Sequence, residues 1–277
     1  MENLRGILAA AGFNFKKSLG QNFISDENLL SSIVRLADVE SSDTVVEIGC
    51  GAGTLTRALS RSCGRVVAFE VDRQLQPVLA VTLSGCDNTE VVFCDFLKTD
   101  IEELERNLGE YKVVANLPYY VTTPVIMRIF EKAEKCKSIT VMVQEEVADR
   151  LAARENTPDY GAITAVLALK YSAEVVKKVP RAMFMPQPNV DSAVVKLTAR
   201  KPLEVKSEKC YLATVHAAFS SRRKTLENNI IKSFGLTRSQ AQQALSAAGV
   251  PAGARGETLS PEKFAELSDR LYGLIEL

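Results

Sequence analysis

Asp43-Thr44-Val45-Val46-Glu47-Ile48-Gly49-Cys50-Gly51-Ala52-Gly53-Thr54-Leu55-Thr56 is the stretch from which the fold of this chain can be read. The apolar β-branched run up to Ile48 reads as a buried strand, and glycine at every second position breaks it into a loop that opens a helix. Such glycines let backbone approach a ligand closely, and the following helix directs amide dipoles at it. The spacing is G-x-G-x-G, not the G-x-G-x-x-G of dinucleotide binders. With the acid Glu47 before it, this spacing favours S-adenosylmethionine over NAD.

Downstream the same design repeats. Arg65–Phe69 is a second β-run and ends at Glu70, 17 residues beyond Gly53, placed to accept hydrogen bonds from ribose hydroxyls. Thr89–Phe93 leads to Cys94-Asp95-Phe96, where a carboxylate suits the amino group of an adenine. A fourth run supplies Val113-Val114-Ala115-Asn116-Leu117-Pro118-Tyr119-Tyr120. Asn116 offers an uncharged carboxamide oxygen, Pro118 fixes the turn, and Tyr119 presents a flat face, a set suited to a planar base with an exocyclic amine. The plainer reading of the octapeptide is a strand end with a proline turn and two packing tyrosines. Four β-runs with polar residues at their carboxyl ends, separated by helical stretches, define an α/β chain with a nucleotide-like site at one edge of a parallel sheet.

Outward from this centre, Gly6–Phe13 reads as a small helix or arm and not a signal peptide. Ser25 before Asp26 and Glu27 is a helix start, with Leu29, Ile33 and Leu36 on one face. Ile139–Val143 continues the sheet, followed by a helix to about Arg154, a helix over 162–171 and a strand over 173–179. The Pro-rich segment 180–192 is too long for a simple connection. It carries Phe184, either a second stacking face opposite Tyr119 or a buried core residue. Ala193–Leu197 closes the sheet. From Ser207 the pattern is helical and Ala-rich, with a capping box at Thr237-Arg238-Ser239-Gln240 and a Ser260-Pro261 helix start. The division expected is an α/β domain over 1–200 and a small all-helical domain over 201–277.

Bulk properties narrow the class. The 277 residues carry 34 basic and 34 acidic side chains, so net charge gives no hint of a nucleic-acid partner. Between Arg200 and Lys224, however, seven basic residues face two acids, and Arg222, Arg223 and Lys224 are candidates for phosphate contacts. No apolar run reaches the ~18 residues of a membrane span. Six scattered cysteines with no CxxC pair and no nearby His argue against a zinc site and a disulfide framework and point to reduced thiols in the cytoplasm; no metal is expected. The single histidine, His216, reads as a packing residue in a helix, so no Ser/His/Asp arrangement is available.

Taken in order, these motifs resemble the ribosomal RNA adenine N6,N6-dimethyltransferase family, in its bacterial small-subunit branch. The match runs from Lys17-Ser18-Leu19-Gly20-Gln21-Asn22-Phe23 through Glu47-Ile48-Gly49-x-Gly51-x-Gly53, Glu70, Asp95 and Asn116-Leu117-Pro118-Tyr119-Tyr120. It continues in Phe184-x-Pro186-x-Pro188-x-Val190-x-Ser192 and Phe219-Ser220-Ser221-Arg222-Arg223-Lys224-Thr225-Leu226. Cys94 departs from the small residue, commonly Gly, that relatives carry before the acid. The resemblance implies a Rossmann-like seven-stranded S-adenosylmethionine-dependent methyltransferase domain with a helical C-terminal domain. It implies cofactor contacts from Asn22, Ile24, Gly49, Gly51, Glu70, Asp95 and Asn116, and a transfer site of Asn116, Leu117, Pro118, Tyr119 and Phe184. The activity implied is dimethylation of two adjacent adenosines near the 3′ end of 16S ribosomal RNA during small-subunit assembly, by a protein expected to be monomeric. Competing readings are the branch that dimethylates an adenosine of large-subunit RNA, disfavoured by the Leu after Asn116 and the extended helical domain, and a non-catalytic assembly factor, disfavoured by the intact motifs.

Overall fold

A computed structural model of the chain describes residues 4–16 and 19–275; Lys17 and Ser18 of the first family motif lie outside the described residues. Its strands are β1 (Phe23–Ile24), β2 (Thr44–Ile48), β3 (Arg65–Phe69), β4 (Thr89–Val92), β5 (Tyr111–Asn116), β6 (Cys136–Gln144), β7 (Tyr171–Val179), β8 (Phe184–Met185) and β9 (Ser192–Ala199). Its first eight helices are α1 (Leu4–Ala10), α2 (Glu27–Leu36), α3 (Thr54–Ser60), α4 (Gln76–Thr82), α5 (Ile101–Leu108), α6 (Thr122–Lys132), α7 (Glu145–Leu151) and α8 (Ala162–Leu167). The last four are α9 (Glu208–Ala218), α10 (Leu226–Phe234), α11 (Arg238–Ala247) and α12 (Pro261–Leu271).

Seven strands form one sheet in the order β4-β3-β2-β5-β6-β9-β7. The pairs β2–β3, β3–β4, β2–β5 and β5–β6 are parallel, and β9 runs antiparallel to β6. The strands from β2 to β6 are joined by helices, as parallel pairing requires. Because the order turns back at β2, the carboxyl ends of β2 and β5 open a crevice where open α/β sheets bind ligands. Strand cores are fully buried at Val45, Val46, Val66, Ala68, Val113 and Val114, which accounts for their continuous apolar runs.

Several local expectations are revised. The cap of α2 is Asp26, whose side chain accepts from Leu29 N, and not Ser25. Aspartate at this position also brings a charge to the positive end of the helix. α7 ends at Leu151 and α8 at Leu167, both earlier than the pattern suggests. Beyond α8, Leu169 O and Lys170 O accept from Leu203 N and Arg200 N, so the backbone leaves the helix to pair elsewhere. β9 lies inside the sheet between β6 and β7 instead of closing it. The Pro-rich segment is not all loop: it contains β8, which pairs antiparallel with β1 through Phe23–Met185 and Ile24–Phe184. His216 is exposed on α9 and packs into no core.

Backbone contacts divide the chain into two compact units, 1–148 with 174–199, and 149–173 with 200–277. In the second unit Phe219 packs edge-on against the Tyr160 ring and tilted against Phe264, with centroids 5.9 Å apart in both pairs. Tyr211 and Tyr160, both buried, donate to Ala165 O and Leu259 O at 2.7 and 2.9 Å. Both expected helix starts are present: Thr237 and Gln240 make a capping box and Ser260 caps α12.

Candidate cofactor and transfer site

A cavity of about 440 Å³ opens at the carboxyl ends of β2, β3 and β5, within the range of ~300–1,000 Å³ typical of ligand pockets. Asn22, Ile24, Gly49, Gly51, Glu70, Asp95, Asn116, Leu117, Pro118, Tyr119 and Phe184 all line it. Arg222, Arg223 and Lys224 do not; they form an exposed turn between α9 and α10.

The glycine loop works differently from its simplest reading. Gly49 N and Cys50 N donate to Phe69 O, Gly51 N to Glu70 Oε2, and Gly53 N to Cys50 O, so these amides are committed to the protein. Gly51 and Gly53 have φ of +56° and +77°. A Cβ at Gly51 would sit 2.9 Å from the Phe23 ring, and one at Gly53 2.9 Å from both Leu79 Cδ2 and Thr82 Oγ1. Glycine is therefore required for turn conformation and for packing against β1 and α4. The space left for a ligand follows from that packing.

Glu70 is 6% exposed; its Oε1 accepts from Val71 N and Asp72 N and its Oε2 from Gly51 N, all at 2.8 Å. Three of roughly four carboxylate acceptor positions are thus filled, which leaves one to accept from a ligand. Burial pushes its carboxyl above the usual range against the pull of those amides. Beneath the loop, Glu47 is 1% exposed, and burial raises its carboxyl to about 8 against the opposing pull of the Thr56 hydroxyl. Asp95 Oδ1 caps the short turn Phe96–Lys98 by accepting from Leu97 N. Cys94, also in the cavity wall, places its thiol 3.7 Å from the Thr99 hydroxyl.

At the β5 end, Asn116 Nδ2 donates to Asn22 O at 3.0 Å, which leaves the carboxamide oxygen as the acceptor of that side chain. Leu117 N donates to Met142 O, fixing the backbone that carries the Leu117 carbonyl. The Tyr119 hydroxyl shares a 2.9 Å hydrogen bond with Ser192 Oγ, and burial keeps its phenol protonated to higher pH than usual. Phe184 is 6% exposed and still borders the cavity, so packing and a stacking position coincide in one residue. Sequence reading missed the apolar floor of Leu30, Val125 and Met142, because apolar residues in periodic runs look like any core. It also missed the exposed Tyr120 and Val71 at the rim. Among the described residues no group of His, Cys, Asp and Glu is arranged to hold a metal ion.

Comparison with known proteins gives concordant results. Residues 12–272 match the family model described as ribosomal RNA adenine dimethylase. The chain is 46% identical over 280 residues to ribosomal RNA small subunit methyltransferase A of Geobacillus thermodenitrificans, covering 98% of this chain and 96% of that protein. It is 46% identical over 262 residues to the protein of the same name from Clostridioides difficile, covering 93% and 91%. Among solved structures it resembles a dimethyladenosine transferase from Plasmodium falciparum, with TM-score 0.75 and 25% identity over 88% of this chain and 95% of that one. It also resembles the 23S rRNA methyltransferase ErmE, with TM-score 0.71 and 30% identity over 91% of this chain and all of that one.

Proposed function

Since the chain belongs to the ribosomal RNA adenine dimethylase family, we propose that it dimethylates the N6 amino groups of two adjacent adenosines near the 3′ end of 16S ribosomal RNA in the small subunit, using S-adenosylmethionine, during ribosome biogenesis. The carrying observation is Asn116, held at the end of β5 with its amide nitrogen engaged and its oxygen left to accept. The relatives named for the small subunit match over nearly the whole chain at 46% identity, against 30% for the 23S enzyme, which favours the small-subunit branch.

The cavity fits the cofactor: Glu70, on its wall, keeps one of about four carboxylate acceptor positions for a ribose hydroxyl, and Asp95 lines the same cavity. Asn22, Ile24, Gly49, Gly51, Glu70, Asp95 and Asn116 are the residues proposed to hold it. When bound, S-adenosylmethionine supplies a methyl group on a positively charged sulfur, itself a good leaving group. An adenine amine is a weak nucleophile because its lone pair is delocalised into the ring. The Asn116 oxygen and the Leu117 carbonyl accept its two N–H bonds, pyramidalise the nitrogen and free the lone pair. Pro118 fixes the turn that aims both acceptors. Tyr119 and Phe184 sandwich the base, which leaves any stacked arrangement to enter the pocket. Orientation and polarisation carry the reaction, and the cationic amine formed on transfer loses its proton to solvent, so no strong general base is required.

In this proposal residues 201–277 form the substrate domain, Arg222, Arg223 and Lys224 contact RNA phosphates, and the protein works as a monomer in the cytoplasm. The test is methyl transfer from labelled S-adenosylmethionine to under-methylated small and large subunits, with modified nucleosides mapped. Dimethyladenosine confined to the 3′ end of 16S RNA is expected. Asn116→Ala should abolish it while leaving cofactor binding largely intact; label appearing in large-subunit RNA would assign the other branch.

A further inference from the structure

The segment Leu19–Ile24 walls the cavity between the cofactor end at β3 and the transfer end at β5. On the transfer side its Asn22 carbonyl accepts the Asn116 Nδ2 hydrogen at 3.0 Å. This contact selects the carboxamide's orientation: a flipped Asn116 would set its oxygen against another carbonyl oxygen, two acceptors with no proton between them. The Asn116 oxygen therefore points to its task only while Asn22 stays where it is.

On the other side the segment is gripped by Asp72, two residues past Glu70. Asp72 is 4% exposed, and both of its carboxylate oxygens accept hydrogen bonds. Oδ1 accepts from Lys16 Nζ at 2.7 Å and from Gln74 N at 3.1 Å, and Oδ2 accepts from Gln21 Nε2 at 2.8 Å. Gln21 Oε1 in turn accepts from Lys16 backbone N at 2.7 Å, closing a ring of three residues that includes the one preceding Asn22. Burial opposes the charge on Asp72, but the hydrogen bonds from Lys16, Gln21 and Gln74 hold its carboxyl below the usual carboxylate range. Charge-assisted bonds of this kind are about twice as strong as neutral ones, so the grip is firm. Neither Asp72 nor Lys16 lines the cavity, so neither touches cofactor or base directly.

We infer that Asp72 is a positioning residue for methyl transfer: through Lys16 and Gln21 it fixes the Asn22 carbonyl, and that carbonyl aims the Asn116 carboxamide at the amine. The inference rests on the reading of Asn116 as the amine's acceptor. Its prediction is a loss in turnover without a matching loss in cofactor affinity, because misplacing an acceptor by a fraction of an ångström affects the reacting geometry first.

The experiment compares Lys16→Met, Lys16→Arg, Asp72→Asn and Asn116→Ala in the full-length protein, measuring kcat, KM for S-adenosylmethionine and thermal midpoint on under-methylated small subunits. Lys16→Met, at the partly exposed end of the ring, is expected to fold and to lower kcat about tenfold while KM moves less than about threefold. Lys16→Arg should restore most of that loss, and Asp72→Asn should lose at least as much as Lys16→Met. Wild-type kcat in Lys16→Met and Asp72→Asn beside an inactive Asn116→Ala would overturn the inference alone. So would a fall in kcat that Lys16→Arg fails to recover or that only tracks thermal midpoint, since the ring would then be merely structural. Wild-type turnover by Asn116→Ala would instead remove the site reading on which the inference depends.

Discussion

At the residue scale, the site is built from groups whose hydrogen bonds are mostly spent inside the protein. Glu70, Asp95 and Asn116 each give part of their capacity to backbone and keep part for a ligand, which fixes their direction before anything binds. Glu47 is the exception, a buried carboxyl whose titration is raised to about 8, from 4.5, by burial and the charge of Glu70, with the Thr56 hydroxyl pulling the other way. A carboxyl whose folded value lies above its unfolded value stabilises fully below the unfolded value. That contribution is lost as pH rises through the folded one. The contribution of Glu47 to the stability of the cofactor-free protein should therefore fall between pH 4.5 and 8, by at most about 1.4 kcal/mol per pH unit. Glu47→Gln removes that slope, so the difference in thermal midpoint between variant and wild type should shift in the variant's favour from pH 5 to pH 8; parallel melting curves across that range would contradict it.

At the element scale, buried side chains tie strand ends and helices together in ways that no local propensity specifies. Glu105, 5% exposed on α5, accepts from Glu134 N and Lys135 N with its carboxylate and so shapes the turn entering β6. Glu105→Ala leaves those amides without that acceptor and should cost about 1–3 kcal/mol, read from the urea midpoint, whereas Glu102→Ala on the exposed side of the same helix should stay within about 0.5 kcal/mol. The two-residue ladder of β1 on β8 has a similar part: it joins the cavity wall at Ile24 to Phe184, across 160 residues of chain.

For the whole molecule, equal numbers of acidic and basic residues conceal an uneven distribution. Every residue lining the cofactor cavity belongs to the first compact unit, and the turn Arg222-Arg223-Lys224 belongs to the second. Cofactor affinity and RNA affinity should accordingly separate under mutation. Replacing all three basic residues with alanine should weaken RNA binding and flatten its dependence on log salt by roughly 2–3, at ~0.7–0.9 per lost phosphate contact. Cofactor affinity by titration calorimetry should not change. An unchanged salt slope would remove these residues from the RNA interface.

Legible in the sequence alone are the α/β class, the strands that carry or lead to Glu47, Glu70, Asp95 and Asn116, and the helical character of the C-terminal region. Each is written in local periodicity and in breakers that follow it within a few residues. Only the tertiary structure decided where those pieces meet. It placed Asp72 on Gln21 and Asn22 on Asn116, partners 51 and 94 residues apart, and set the Cβ position of Gly51 against the Phe23 ring. It put β9 inside the sheet and exposed His216. The physical reason is that periodicity records which face of an element is buried, whereas the partner buried against it is chosen by the packing of the whole chain.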